Sequence, residues 1–274
     1  MSVRGKYSLT CPRTGVTAKG LHVGKVNGGI NTMFIVYRIG GTVIDCGPPN
    51  QWREVKPFIE SEPVEQLLIT HHHEDHSGNG ARIAKLAGIV PFAPELGRAK
   101  LASGYKVPPL QKMIWGTPIP VETRPLPETL HLSDGSPIIS VHTPGHAKDL
   151  TVFFLPEQKW LFSGDLYVSK SIKLLRSDEN LQQLIDSIRK VLALDFEVLL
   201  CPHRGIVEQG KESMAAKLEN LLTLCRDAQA LDAQGLGLVE ITRRLLGKES
   251  LVSKLTGYNF SSRNLIREAL KVEV

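Results

Sequence analysis

At 274 residues, the chain is long enough for one large α/β domain, or for a domain of about 200 residues with an appendage. Hydrophobic residues make up 42%, enough for a full core, yet no apolar stretch approaches the roughly 20 residues that a membrane span needs. The net charge of +5 is a mild excess, short of the basic extreme expected of a dedicated nucleic-acid binder.

That charge is spread unevenly, with Arg4, Lys6, Arg13, Lys19, Lys25 and Arg38 all ahead of the first acidic residue, Asp45. Pro12 and Gly5, Gly15 and Gly20 break any amphipathic transit helix, and no apolar secretion core is present. This start therefore reads as a basic surface strand, and a cytoplasmic protein is expected. Cys11, Cys46, Cys201 and Cys225 lack CxxC spacing, so free thiols in a reducing compartment are expected. Cys201 lies two residues from His203, and both a ligand role and a small-hydrophobe role are open to it.

In chain order, residues 1–20 carry turn residues and little pattern, and read as a loose lead-in. Leu21–Val26, Met33–Arg38 and Thr42–Asp45 read as strands, joined by Asn27-Gly28-Gly29 and Gly40-Gly41 turns. Trp52–Glu60 reads as a short helix. The apolar run Val64, Leu67, Leu68, Ile69, opened by Pro63, reads as a buried strand, and it leads directly into Thr70-His71-His72-His73-Glu74-Asp75-His76-Ser77-Gly78. That tract is H-x-H-x-D-H, four metal-ligand side chains within six residues. On an extended chain His71, His73 and Asp75 share one side and His72 and Glu74 the other, and a helical turn brings in His76. Imidazole with carboxylate suits zinc, iron or manganese, and the lack of thiolate argues against a closed structural zinc site.

Ala81–Ala87 reads as a helix stopped by Gly88, and Ile89–Ala93 as a strand. Residues 94–127 are punctuated by seven prolines and read as an irregular rim or lid, with Tyr105, Lys106, Lys112, Met113 and Trp115 as a substrate wall or as core plugs. Leu130–Leu132, Ile138–Val141, Thr151–Leu155 and Trp160–Phe162 give a second set of strands. Glu179–Leu194 is an amphipathic helix and Phe196–Leu200 the last core strand. From Lys211 the pattern is helical only: Met214–Leu231, Leu238–Leu246 ended by Gly247, and a helix from Ser262, its cap, to Leu270.

Three further stations each place a ligand just after a strand-like run: Thr143-Pro144-Gly145-His146, Ser163-Gly164-Asp165 and Cys201-Pro202-His203-Arg204-Gly205. With the histidine tract, their order and spacing over residues 20 to 205 resemble the metallo-β-lactamase fold superfamily of hydrolases. The resemblance implies an α/β, four-layer αβ/βα sandwich over residues 1–210, with residues 211–274 as a C-terminal helical, winged-helix-like extension. It implies that His71, His73 and His146 hold one metal, that Asp75, His76 and His203 hold the other, and that Asp165 bridges two Zn2+, with Fe or Mn as alternatives. Ile44-Asp45-Cys46-Gly47 matches the family's Ile-Asp-x-Gly, in which the aspartate supports the metal loop; without geometry, a turn cap is equally open. Such a two-metal site lowers the pKa of a shared water toward 7 and needs no Ser or Cys nucleophile.

Asp75 is expected to move a proton as well as bind metal, and Tyr167 to donate to a developing oxyanion or simply to pack. His72 and Glu74 match variable positions of the motif. Lys148, Lys170, Lys173, Arg176 and Arg204 either rim the pocket, favouring an anionic substrate, or are solvated surface cations. The histidine tract is similar to that of hydroxyacylglutathione hydrolases, which points to a small ester, thioester or lactone. The tail and the Ser-Gly-Asp segment look like the endoribonuclease branch, which points to single-stranded RNA. A mononuclear iron persulfide dioxygenase is the redox alternative. A small-molecule substrate is the first expectation for a partner, with nucleic acid and a homodimer also open.

Overall fold

The computed structural model describes residues 5–24, 26–27 and 30–273, with the backbone alone at 26, 27, 30 and 31. Gly28 and Gly29 of the expected turn, together with Arg4 and Lys25, lie outside the described residues. The first-half strands are β1 (Gly5–Thr10), β2 (Thr17–Val23), β3 (Val26–Asn27), β4 (Ile30–Asn31), β5 (Phe34–Ile39), β6 (Thr42–Ile44), β7 (Gln66–Leu68), β8 (Phe92–Ala93) and β9 (Arg124–Pro125). The second half supplies β10 (Thr129–His131), β11 (Pro137–His142), β12 (Thr151–Leu155), β13 (Trp160–Phe162), β14 (Leu175–Arg176), β15 (Val198–Cys201), β16 (Gly205–Val207) and β17 (Phe260–Ser261).

The helices are α1 (Trp52–Glu60), α2 (Glu74–Ser77), α3 (Gly80–Ala87), α4 (Glu95–Ser103), α5 (Pro109–Trp115) and α6 (Leu181–Leu192). The tail adds α7 (Gly210–Ala233), α8 (Leu238–Leu246), α9 (Leu251–Leu255) and α10 (Ser262–Ala269).

One sheet runs β1-β2-β5-β6-β7-β8-β9 and the other β10-β11-β12-β13-β15-β16. Both are mixed: β6 through β9 pair in parallel, as do β13 and β15, and the remaining neighbours are antiparallel. Alternation along the strands gives each sheet two apolar faces. Tyr37, Ile39 and Leu68 of the first sheet meet Phe153, Trp160 and Phe162 of the second across the centre. The outer face of the first sheet is covered by Val55, Phe58 and Ile59 of α1 and Ile83 of α3. The outer face of the second packs on Leu184, Ile185 and Ile188 of α6 and on Met214, Leu221, Ile241 and Leu265 of the tail. The layers are thus helix, sheet, sheet, helix, as expected. The tail shares a core with the residues before 211, and β17 pairs with β14 (Arg176↔Phe260).

Several expectations need correction. Residues 5–20 are not a loose lead-in but an edge hairpin, β1 with the start of β2. The proline-rich segment holds two helices, α4 and α5, because Pro109 stands at a helix start, where a missing N–H costs nothing. β16 follows β15, so Phe196–Leu200 is not the last core strand. The cap of the last helix is Ser261, whose hydroxyl accepts from Asn264 N, rather than Ser262.

Arg38 is not on a basic surface. It is fully buried, and its guanidinium donates to the carbonyls of Gly40, Phe58, Ile59, Glu62 and Pro63, tying the C-terminal end of α1 to β5. Without the guanidinium these carbonyls lose a shared buried donor, so Arg38→Met should lower the free energy of unfolding by about 3 kcal/mol in urea titrations at pH 7. A loss within about 0.5 kcal/mol, as at an ordinary surface position, would contradict this role.

Candidate metal centre

The metal-ligand side chains all follow strand ends at one edge of the two sheets. β7 ends at Leu68, and Thr70 is then fixed by Asp45, whose carboxylate accepts from Thr70 N and Thr70 Oγ1, both at 2.8 Å. The same carboxylate meets His76 Nδ1 at 2.7 Å, leaving His76 Nε2 to face the site. Asp45 holds φ +54°, a left-handed conformation that an aspartate accepts when its side chain is so engaged. It is therefore the support of the metal loop. His71 and His73 lie in the extended stretch, whereas Asp75 and His76 come on the single turn of α2.

His146 arrives from the β11–β12 connection. Gly145 before it has φ +138°, and a Cβ there would lie 2.5 Å from Leu184 backbone atoms, so only glycine lets this loop close onto α6. Glu179, just ahead of α6, receives His146 Nδ1 at 2.9 Å. Asp165 follows β13 on a short 3-10 turn, Gly164–Leu166, and His203 follows β15 with its Nδ1 3.0 Å from Met33 O.

The remaining donor atoms converge. His71 Nε2 and His146 Nε2 lie 2.9 and 3.0 Å from His73 Nδ1. Asp165 Oδ2 is 3.1 Å from His146 Nε2, while its Oδ1 is 3.1 Å from both His76 Nε2 and His203 Nε2. Asp75 Oδ2 stands 3.7 Å from His203 Nε2 and 4.0 Å from His76 Nε2. Three groups result, His71/His73/His146, His71/His76/Asp165 and Asp75/His76/His203, each with donor atoms within 4.8 Å of one another.

Although His76 Nε2 and Asp165 Oδ1 are close, their angle makes no hydrogen bond, and both are buried polar atoms without a partner. Unsatisfied lone pairs aimed at one point in a buried cluster of imidazole and carboxylate fit a divalent cation. Thiols are not part of it: Cys46 Sγ donates to His76 O and Cys201 Sγ to Tyr167 O.

Electrostatics divide the ring nitrogens. Burial and neighbouring imidazoles hold His71 and His73 well below the usual histidine range, so both stay neutral. Burial also opposes charge on His76, but Asp165 and Asp45 outweigh it and raise the group. His146 is likewise pulled against burial by Glu179 and Asp165, up to about 10. Asp165 stays ionised despite burial, because His203, His76 and His146 surround it.

All seven expected ligands meet at this point. The other candidates divide. Trp115 lines the cavity above the ligands, with Arg176 and Glu74. Glu74, expected at a variable position, is buried, and burial beside Asp75 pushes it up to about 7. Tyr167 is corrected: it is 4% exposed in the core beneath the second sheet, and it is not on the cavity wall. Tyr105 is not on that wall either; its hydroxyl donates to His72 O and so braces the metal loop. Lys148, Lys170, Lys173 and Arg204 are exposed away from the cavity, Arg204 donating to Val168 O.

Three supporting residues escaped sequence reading. Glu179 looked like the first residue of a helix. Asp149 anchors the tract from behind, accepting from His72 N and meeting His72 Nδ1, each at 2.8 Å. Lys217 of α7 is buried, its ammonium donating to Leu166 O at 2.6 Å next to Asp165. Its one signal was position, a lysine on the same face as Met214 and Leu221.

With the fold and this cluster in view, the chain belongs to the metallo-beta-lactamase superfamily, whose family model matches residues 26–203. It is 24% identical over 195 residues to the atrochrysone carboxyl ACP thioesterase of Aspergillus fumigatus, covering 70% of this chain and 56% of that protein. It is 24% identical over 142 residues to the hydroxyacylglutathione hydrolase of Bartonella henselae, covering 51% and 49%. The chain thus spans about half the length of the curated relatives it matches. A beta-lactamase domain protein from Burkholderia ambifaria shares the fold, with a TM-score of 0.66 at 14% identity, covering 97% of this chain and 85% of that one.

Glu179 orients His146 through the nitrogen that does not face the cluster, so Glu179→Ala should weaken zinc binding about 10–100-fold in competition with a chromogenic chelator. Unchanged affinity would show that His146 is oriented without it.

Proposed function

We propose that this chain is a binuclear, zinc-dependent hydrolase of a carboxylic ester or thioester. The observation that carries the reading is the two-sided reach of Asp165, with Oδ2 toward the His146 group and Oδ1 toward His76 and His203. One carboxylate between two imidazole groups suits a pair of divalent cations. His71, His73 and His146 would hold one cation, Asp75, His76 and His203 the other, and Asp165 both. When bound, the cations polarise the scissile carbonyl and lower the pKa of a water so that it attacks at neutral pH.

The chain's own residues do the rest. Asp45, Glu179 and the Met33 carbonyl fix three ring orientations, so the ligands need no reorganisation when substrate arrives. Phe34 packs edge-on against His76 and His203, with ring centroids 4.8 and 5.5 Å away, and keeps water off that side. In hydrolysis the water oxygen forms the new C–O bond and the bond to the leaving thiolate or alkoxide breaks. The Asp75 carboxylate would take the water proton and pass it to the leaving group.

An acyl substrate is favoured over RNA by the cavity above the ligands. Arg176 and Lys217 are the only arginine and lysine that line it among the described residues, and both are engaged, Arg176 with Asp178 at 2.9 Å and Lys217 with Leu166 O. A strand of phosphates has no free arginine or lysine there to meet. No described helix is long and apolar enough to cross a membrane.

Zinc-loaded protein should therefore hydrolyse acyl thioesters, with S-lactoylglutathione as a first probe, and leave a short single-stranded RNA intact. Asp165→Ala should lose on the order of 10³-fold or more in kcat while keeping its far-ultraviolet spectrum. RNA cleavage that Asp165→Ala lacks would overturn the acyl assignment, and full activity in Asp165→Ala would overturn the binuclear one.

A further inference from the structure

The cavity over the cluster has a volume of about 480 Å³, within the usual size of a small-molecule site. Its floor is polar, with His73, Asp75, His146, Asp165 and His203. Its walls are mainly apolar, and the apolar side chains come chiefly from three separate parts of the chain. Ile114 and Trp115 of α5 form one side, and Val168 and Ile172 after Asp165 form a second. Leu255 and Phe260, flanking the α9–β17 turn, form the third.

Leu255 is 61% exposed although it faces the cavity, so apolar surface stands open to water there and would be covered by an apolar ligand. The third wall is held in register because β17 pairs with β14 and Asn264 Nδ2 donates to Leu175 O. Neither the arginine nor the lysine of the cavity is free to clamp a carboxylate, and Lys148, Lys170 and Lys173 lie elsewhere.

We propose that the cavity takes an acyl group with a sizeable apolar arm, held between α5 and the C-terminal α9–β17 turn, so that the tail sets substrate specificity. This rests on the hydrolytic reading above and narrows its acyl substrate to one with a hydrophobic arm. Leu255, Phe260 and Trp115 are the specificity-determining residues, and the scissile carbonyl lies at the polar floor.

The test uses N-acetylcysteamine thioesters of acetyl, butyryl, hexanoyl and octanoyl groups on the full chain. With zinc-loaded protein, kcat/KM should rise about threefold per methylene as apolar surface is buried. Leu255→Asp, at a solvent-accessible position that tolerates polarity, should flatten that rise. The second readout is binding to chelator-treated protein, followed by Trp115 emission with Trp115→Phe as the assignment control. Octanoyl thioester should bind at least about thirtyfold more tightly than acetyl thioester.

Hydrolysis that is flat with chain length, with equal binding of the two thioesters, would overturn the apolar arm and leave the hydrolytic reading intact. Tight, selective binding of the octanoyl thioester without turnover at any length would support the arm and overturn the hydrolytic reading. Absence of both would overturn both.

Discussion

Seven side chains, four of them buried and three half-buried, point more lone pairs at one another than there are protons to share. His76 Nε2 and Asp165 Oδ1 have no partner at all, in a region where an unsatisfied polar atom costs free energy of the order of a lost hydrogen bond. Among the described residues no hydrogen bond relieves this. The two sheets bring four strand ends to one edge, and each end delivers its ligand with the ring or carboxylate already turned inward. A positive charge at the centre would satisfy every one of these atoms at once. The cluster is a site first and a structural element second, since an apolar core would fill the same space at less cost.

That crowding has to be held against its own repulsion. Asp45 and Glu179 each fix an imidazole from behind and supply the negative charge that the buried rings lack. Asp149 and the Tyr105 hydroxyl hold the backbone of the histidine tract from the opposite side. Lys217 brings the tail into the same arrangement, since α7 donates to the carbonyl next to Asp165. Residues 211–274 are thus coupled to the site both through a shared core and through one buried lysine.

Much of the site was legible because metal chemistry uses few residue types and places them close in sequence. The H-x-H-x-D-H tract needs one strand end and one helical turn to assemble, and the three later ligands each follow an apolar run. The supporting residues were not legible, because Glu179 and Asp149 act across gaps that no periodicity links. Of the cations after Asp165, Arg176 does line the cavity, whereas Lys170 and Lys173 do not, for a geometric reason. The short 3-10 turn at 164–166 rotates the chain, so Tyr167 packs into the core while Lys170 and Lys173 face solvent.

Fold details failed in the same local way. β1 is an edge strand exposed on both faces, which removes the alternation that betrays a strand. The short α9 lay hidden behind Ser250, whose hydroxyl caps it by accepting from Ser253 N. Arg38 looked like surface because arginine usually is, yet its strand position faces the carbonyl end of α1.

The most direct test of a shared two-cation site is metal stoichiometry. Protein stripped with chelator, reloaded with zinc and desalted should hold two equivalents per chain by elemental analysis, falling to one in His146→Ala and to one in His203→Ala. A single equivalent in the unsubstituted chain, lost entirely in either variant, would contradict the binuclear account and leave a one-metal centre in its place.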